Sequence, residues 1–172
     1  RDDVESRGLG DVYKRQVKEY FTPLHMEDHI LEFDVSSATV ELAAEVLHCE
    51  GKRIAKTMSF LVGEQPILIV TAGDTKIDNA KYKHFFGAKA KMIPGEEVEA
   101  IIGHAIGGVC PFAVNDNVKI YLDESLQRFE TVFPAAGSPN SAIELTIPEL
   151  EKYSNFLQWV DVCKGWQEPN TI

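Results

Sequence analysis

The chain of 172 residues has the length of one domain, and its 44% hydrophobic and 26% charged residues give it a globular composition. With 17 basic and 27 acidic side chains it carries a net charge of −10, which argues against a general nucleic-acid coat protein. No apolar run approaches the roughly 20 residues of a membrane span, and no secretory signal is recognisable. We therefore expect neither a membrane nor DNA as a partner.

The three cysteines, Cys49, Cys110 and Cys163, show neither a CxxC pair nor the spacing of a zinc site. They fit a reduced cytoplasmic compartment. Residues 1–16 are polar, contain two glycines that interrupt any helical pattern, and resemble a translated cloning or sequencing adaptor. We treat residues 1–16 as a non-native or disordered tail, with a genuine N-terminal helix cap as the alternative, and expect the domain over residues 17–172.

From residue 17 onward, hydrophobic periodicity and capping residues predict both helices and strands. The helices are expected at Val17–Phe21, Val40–Leu47, Asp78–Phe86, Gly95–Ile102 and Pro148–Phe156. The strands are expected at His29–Asp34, Ala55–Val62, Ile67–Ala72, Lys89–Ile93, Val118–Leu122, Phe129–Phe133, Ala142–Thr146 and Trp159–Val162. Because the alternation is mixed rather than a repeated βαβ unit, we predict a single α+β domain with a mixed, mostly antiparallel sheet and flanking helices.

Charge is distributed unevenly, and residues 51–91 carry eight basic against three acidic side chains. This stretch interleaves lysines with aromatic rings: Lys76, Lys81, Lys83, Lys89 and Lys91 with Tyr82, His84, Phe85 and Phe86. One interpretation is a solvated helix face whose aromatic residues lie in the core. The other is a phosphate-contacting strip on an otherwise acidic protein, which would repel polyanions except those docked in one pose.

A lysine interrupts the otherwise apolar strand segment IAKTMSFLV at residues 54–62. If this strand is central, Lys56 lies near the sheet interior or a cleft wall, where an ammonium group is unfavourable unless it has a partner. The alternative is a lysine at a strand end whose amine reaches water.

The segment GHAIGGVCPF at residues 103–112 combines Gly107, Gly108 and Pro111 in a loop whose backbone amides can come close to a ligand. Successive N–H groups in such a turn can bind an anion or an oxyanion. A Gly-Gly pair alone is weak evidence, since most such pairs are ordinary turns. Its combination with a strand lysine about fifty residues upstream is more informative.

Together with the segment VKIYLDESL at residues 118–126, these two segments resemble the YbaK/EbsC family, and the resemblance covers about residues 17–166. This family includes freestanding aminoacyl-tRNA deacylases related to the insertion domain of bacterial prolyl-tRNA synthetases. The resemblance implies one α/β domain with a mixed sheet and a cleft. It also implies hydrolysis of the ester that links a wrong amino acid to tRNA, with no metal, no cofactor and no protein nucleophile.

The resemblance assigns roles to individual residues. Lys56 matches the family's essential lysine, which lies in the cleft and contacts the terminal adenosine phosphate or the carbonyl region of the substrate. The GxxxP loop, whose backbone groups hold the aminoacyl group and water, is matched by Gly107, Gly108, Val109, Cys110 and Pro111. A polar turn beside the cleft is matched by Ser138, Asn140 and Ser141.

Other positions leave the details open. His104 lies just before the loop, where some relatives carry an aromatic residue or a histidine, and a packed structural histidine is the alternative. Relatives often have glycine where this chain has Ala113. Residues 33–37 lack the threonine- and proline-containing start that is common in synthetase-associated relatives. These departures leave the preferred amino acid and tRNA open.

The function expected from this reasoning is trans-editing, in which a separate hydrolase removes a small wrong amino acid from tRNA. Lys56 would hold the phosphate or carbonyl by charge, and the amides of Gly107 and Gly108 would stabilise the oxyanion while water attacks. The expected partners are the acceptor end of a mischarged tRNA and, as a further option, an aminoacyl-tRNA synthetase.

Four alternatives remain open at the level of sequence. Cys110 could act as a nucleophile, with His104 nearby. A metal could bind His25 and His29, which would require a helix that Pro23 disfavours. The domain could also bind tRNA or a nucleotide without hydrolysing the ester, or it could be an interaction domain that covers a synthetase.

Overall fold

The structure is a computed structural model that describes residues 15–37, 39–104, 108–138 and 140–166. Within these ranges the strands are β1 Ile30–Glu32, β2 Ile54–Val62, β3 Gln65–Ala72, β4 Lys76–Ile77, β5 Lys119–Asp123, β6 Thr131–Pro134, β7 Ser141–Ile143, β8 Leu145–Thr146, β9 Gln158–Val160 and β10 Cys163–Lys164. The helices are α1 at residues 15–21, α2 Val40–Leu47, α3 Asn79–Phe86, α4 Gly95–Ile102 and α5 Ile147–Ser154.

Six of these strands form the central sheet in the order β8-β6-β2-β3-β5-β9. The β2–β3 hairpin is its longest ladder, antiparallel from the pair Ala55–Ala72 to the pair Val62–Gln65. Strand β6 continues the sheet parallel to β2, and β5 and β9 extend it in parallel on the side of β3. The described residues form seven strand pairings, of which four are antiparallel: the β2–β3 hairpin, β1–β7, β4–β10 and β6–β8.

Strand β3 is the centre of the core, and its residues 66–72 are all buried. Because successive side chains of a strand point to opposite faces, its apolar run covers both sides of the sheet. On one face Ile67 and Ile69 pack with Tyr82 of α3. On the other face Leu68 packs with Val98 and Ile102 of α4. The predicted α+β domain is therefore confirmed, with helices on both faces of a mixed sheet.

Local capping explains where the helices begin. The Thr39 hydroxyl accepts a hydrogen bond from the Leu42 N–H at the start of α2, and the Asp78 carboxylate accepts from two amides at the start of α3. In α5, Thr146 and Glu149 form a reciprocal capping box.

Within the described ranges, no helix is both long and apolar enough to cross a membrane.

Three sequence expectations differ from the structure. The predicted strand Lys89–Ile93 is wrong: only the isolated bridge between Met92 and Phe60 forms there, because Pro94 and α4 follow at once. The predicted strand Ala142–Thr146 is divided into β7 and β8, which pair with different neighbours. The β4–β10 pair was not predicted, since two-residue strands leave no periodic signal. The first fourteen residues of the expected tail lie outside the described residues.

Candidate active site

A cavity of about 580 Å³ lies along the part of β2 that has no described partner strand on the side away from β3. The pairing of β2 with β6 ends at Ala55, and its contact with the segment before α4 begins at Ser59, whose carbonyl accepts from the Ile93 N–H. Between these two points β2 has no partner strand among the residues that the structure describes, and we call this stretch the free edge. The size of the cavity is typical of a small-molecule site.

The walls of the cavity come from α2, β2, β6, β7, the start of α4 and the GxxxP loop. Its apolar lining consists of Val40, Ala43, Ile54, Ala55, Met58, Met92, Ile93, Val98, Val109, Phe133, Ala135 and Ala142. Its polar lining consists of Ser37, Thr39, Lys56, Thr57, Ser59 and Ser141, with Gly95 at the start of α4. An apolar cleft with a few polar groups can bind a ligand and fix its orientation.

Lys56 is half-buried on β2 and lines this cavity, so the sequence-predicted lysine lies at the cleft rather than on the far side of the molecule. Its Nζ donates a hydrogen bond to the main-chain carbonyl of Thr75. Among the described residues no carboxylate lies within salt-bridge distance of Nζ. Asp74, whose charge acts on Lys56, is held by Arg128 through hydrogen bonds of 2.6 and 3.0 Å.

The electrostatics of Lys56 follow from this position. Burial lowers the pKa of the Lys56 amine below its ordinary value of 10.5, and the nearby Lys76 acts in the same direction. The charges of Asp74 and Glu41 oppose this decrease without cancelling it. An anionic ligand in the cavity would oppose this shift, because a negative charge nearby stabilises the charged form of the amine.

The GxxxP loop reaches the cavity through Val109. Gly107 lies outside the described residues. Gly108 is buried, and a Cβ atom at this position would lie 2.5 Å from the Ser138 nitrogen and 2.7 Å from the Gly137 carbonyl carbon. The loop therefore packs directly on the turn at residues 137–138, and only glycine allows this close approach. Pro111 is also buried, which fixes the end of the loop.

Cys110 and His104 face the core. Cys110 is fully buried with Phe112 in the main hydrophobic cluster and does not line the cavity. His104 is also fully buried, and its Nε2 lies 2.7 Å from the Phe112 carbonyl oxygen and 3.6 Å from Cys110 Sγ. Burial lowers the pKa of His104, but the Cys110 thiol and the Phe112 carbonyl outweigh it, so the net shift is upward. This geometry gives both side chains a role in holding the loop.

Ser138, Asn140 and Ser141 form one polar cluster. The Ser138 Oγ lies 2.9 Å from the Asn140 Oδ1 and 2.6 Å from the Ser141 Oγ. The Asn140 side-chain amide donates to the Phe33 carbonyl, and the Phe33 N–H donates to the Asn140 carbonyl. Of the three, Ser141 lines the cavity. The other two connect this turn to the segment before α2 and to the GxxxP loop.

Sequence reasoning missed Thr57, which lines the cavity one residue after Lys56. Its signal was a polar residue in an apolar strand, the same signal that singled out Lys56. The pair His25 and His29 lies on no common helix: two short 3-10 turns, Thr22–Leu24 and Glu27–His29, flank a left-handed His25. The described residues contain no group of three or more side chains that could hold a metal ion.

Sequence and structure comparisons relate the chain to known proteins. The profile of the aminoacyl-tRNA editing domain family matches residues 34–153. The chain is 53% identical over 154 residues to the uncharacterized protein YwhH of Bacillus subtilis, covering 89% of this chain and 98% of YwhH. It is 24% identical over 125 residues to the proline–tRNA ligase of Lactiplantibacillus plantarum, matching 72% of this chain but only 22% of the ligase.

A solved structure of a protein described as a candidate trans-editing enzyme for prolyl-tRNA synthetase superposes with a TM-score of 0.79 at 27% identity. The match covers 89% of this chain and 98% of that protein. The family profile includes β2, the GxxxP loop and the polar turn at residues 138–141, which are the elements that enclose the cavity. The chain belongs to the aminoacyl-tRNA editing domain family.

Proposed function

We propose that the protein is a trans-editing deacylase that hydrolyses the ester between a small amino acid and a mischarged tRNA. The observation that carries this proposal is the position of Lys56, a cation without a described carboxylate partner that borders a cavity of about 580 Å³. An acidic protein with one uncompensated cation in an apolar cleft suits an anionic substrate that enters in a single orientation. The similarity to proline–tRNA ligases supports a tRNA as that substrate.

The chemistry needs little beyond orientation and charge, because an aminoacyl ester is already an activated acyl group. Lys56 holds the terminal phosphate or the ester carbonyl. The N–H of Gly108 donates to no described residue, and although Gly108 does not itself line the cavity, its neighbour Val109 does, which supports a proposed role of this N–H as an oxyanion donor beside Gly107. A backbone donor of this type contributes about 10²–10³ in rate. Water supplies the nucleophile, since the buried Cys110 does not line the cavity.

The proposal is tested by deacylation of tRNAs mischarged with alanine, cysteine or proline. The parent protein is expected to hydrolyse at least one of these esters, and Lys56→Ala is expected to abolish that activity while the melting temperature is retained. Lys119→Ala is the matched control, because Lys119 is an exposed lysine on the same sheet that does not line the cavity.

Three results would contradict the proposal. Lys56→Ala that hydrolyses the ester at the parent rate would show that the cation is not needed. A parent protein that binds tRNA in the same assays but leaves every ester intact would instead identify a non-catalytic binding module. Co-elution with a synthetase that is unaffected by Lys56→Ala would favour the interaction domain.

A further inference from the structure

Arg128 binds the carboxylate of Asp74 in a two-pronged ion pair. The guanidinium donates hydrogen bonds of 2.6 and 3.0 Å to the two carboxylate oxygens, and a third of 2.9 Å to the Ser125 carbonyl. It also lies over the rings of Phe129 and Trp166, at 4.7 and 5.1 Å from their centres. A planar, forked and permanently charged side chain suits this combination of bidentate binding and stacking. The direction of the Asp74 carboxylate is therefore fixed by Arg128.

The residue after Asp74 holds Lys56. The main-chain carbonyl of Thr75 accepts a hydrogen bond from the Lys56 amine. Thr75 is itself fixed, because its N–H and its hydroxyl both donate to the Ala72 carbonyl, at 3.2 and 2.7 Å. The negative charge of Asp74 acts on Lys56 although the carboxylate is directed to Arg128. A rotation of the Asp74 side chain alone would therefore bring this carboxylate toward the ammonium group.

Three other titratable groups act on Lys56 from the surrounding elements: Glu41 of α2, Lys76 of β4 and Cys163 of β10. Burial raises the pKa of the Cys163 thiol to about 12, so this thiol carries no charge. Glu41 is exposed, where salt and water screen its charge. Among the described residues, Asp74 is thus the carboxylate best placed to compete with an anionic substrate for this lysine.

We infer that Arg128 is a positioning residue whose bond to Asp74 keeps this carboxylate from pairing with Lys56, so that the lysine stays available to an anionic group of the substrate. The inference rests on the proposed deacylase function and adds to it a residue that acts through Lys56 without lining the cavity. The Arg128 and Asp74 side chains are only 25% and 32% exposed, so their attraction is screened less than that of a surface pair.

A double substitution distinguishes this role from simple support of the loop. If the ion pair only supported the loop, loss of either partner would be equally harmful and loss of both would not restore the site. If Arg128 keeps the carboxylate away from Lys56, only the loss of Arg128 is harmful, because it leaves the carboxylate free to pair with the lysine. Replacing Asp74 by asparagine, which has a similar shape but no charge, then removes the competitor.

The test measures kcat/KM with the ester that the parent hydrolyses fastest among tRNAs mischarged with alanine, cysteine or proline, at a temperature at which every variant is folded. Arg128→Gln is expected to lower kcat/KM by about tenfold, since a hydrogen bond between charged groups must be broken before the substrate can bind Lys56. Asp74→Asn is expected to stay within about twofold of the parent, because the asparagine carbonyl can still accept from the guanidinium. The double variant should recover most of the loss.

Net charge alone also changes tRNA binding, so a second ion pair with the same charges serves as the control. Lys18 and Glu32 lie 3.2 Å apart, and neither lines the cavity. Lys18→Gln and Glu32→Gln, singly and together, change the net charge by the same steps as the substitutions at Arg128 and Asp74. They are expected to change kcat/KM far less than Arg128→Gln does.

The pKa of the Lys56 amine provides a measurement that a purely structural role would not change. It is followed by NMR on protein whose lysines carry ¹³C-methyl groups, and the Lys56 signal is identified by its absence from Lys56→Arg. A carboxylate beside an amine stabilises the charged form. Arg128→Gln should therefore raise the pKa of Lys56 above its value in the parent, and the double variant should return it to the parent value.

Four outcomes overturn the inference: an unchanged kcat/KM in Arg128→Gln, an equal loss in Asp74→Asn, no recovery in the double variant, or an unchanged pKa of Lys56 in Arg128→Gln. A loss and recovery of the same size in the Lys18 and Glu32 variants would overturn it as well, by assigning the effect to net charge. The proposed function fails on a separate result, a parent that hydrolyses no aminoacyl ester. The pKa of Lys56 tests the pairing of Asp74 with the lysine in that case too.

Discussion

Ala113 follows the GxxxP loop in a left-handed backbone conformation, with φ of 54°. This is the position at which relatives often carry glycine. A side chain other than glycine is crowded there, because its Cβ approaches the following carbonyl oxygen. The end of the loop thus has a backbone conformation that glycine would favour, although the residue is alanine. The backbone geometry at the end of the loop is therefore maintained at a cost in stability.

Replacing Ala113 with glycine should relieve this crowding. We expect Ala113→Gly to raise the free energy of unfolding by about 0.5–1 kcal/mol, since the steric relief exceeds the larger entropy of glycine in the unfolded chain. Urea denaturation measures the change. The matched control is Ala88→Gly, an exposed alanine outside the positive-φ positions, which should lose stability instead. A loss of stability in both variants would contradict the prediction.

At the scale of elements, the GxxxP loop is fixed by its contact with the polar turn. Gly108 packs against the backbone of Gly137 and Ser138, and the Ser138 hydroxyl in turn binds Asn140 and Ser141. Asn140 extends the chain of contacts to Phe33, ahead of α2. Three segments that are far apart in sequence thus hold one another around the cavity. A change at the central contact should therefore affect the shape of the whole site.

Gly108→Ala tests this contact. A Cβ atom at residue 108 would lie 2.5 Å from backbone, and backbone cannot move aside as a flexible side chain can. Overpacking of this kind typically costs about 1–3 kcal/mol. We expect the free energy of unfolding to fall by about that amount and deacylation to fall with it. Gly51→Ala is the control, because its Cβ would meet only the Val40 side chain at 3.4 Å. Equal effects of the two substitutions would contradict the prediction.

How much of the fold the sequence predicts depends on how local each signal is. Helix α2 was predicted at its observed bounds, because its cap at Thr39 and its periodicity lie within ten residues. The segment Lys89–Ile93 was predicted wrongly, because pairing along its length depends on a partner strand that only one residue reaches. Lys56 was found from its apolar surroundings and from the family resemblance. Thr57 was not, since its place at the cavity depends on where the pairing of β6 with β2 ends.

At the scale of the whole molecule, charge separates one region from the rest. The chain carries a net charge of −10, yet residues 51–91 hold eight basic and three acidic side chains. Within this region Lys76 lies directly opposite Lys164 in the β4–β10 pair, and both are exposed. Like charges that face each other across a sheet are destabilising. The pair adjoins Thr75, whose carbonyl accepts a hydrogen bond from the Lys56 amine, and the charge of Lys76 acts on Lys56. A bound phosphate would relieve the repulsion.

We therefore expect Lys76 and Lys164 to contact tRNA phosphates next to the acceptor end. The double substitution Lys76→Gln and Lys164→Gln should raise KM and leave kcat nearly unchanged, because neither lysine belongs to the reacting groups. The slope of log KM against log salt concentration should fall by about one for each lost phosphate contact, or about two in all. Stability should change little, since the substitutions remove both the repulsion between the two lysines and the attraction between Lys164 and Asp78.

Steady-state deacylation between low and physiological salt measures this slope. Lys119→Gln provides the control, because Lys119 is exposed and faces Ile67 at the other end of β3. Lys119→Gln removes one positive charge, as each substitution of the double variant does, but at a site away from the cavity. It should therefore leave the slope of log KM against log salt concentration unchanged. The same flattening in Lys119→Gln would mean that net charge alone attracts the tRNA. An unchanged slope in the double variant would mean that the acidic protein binds its substrate without these two lysines.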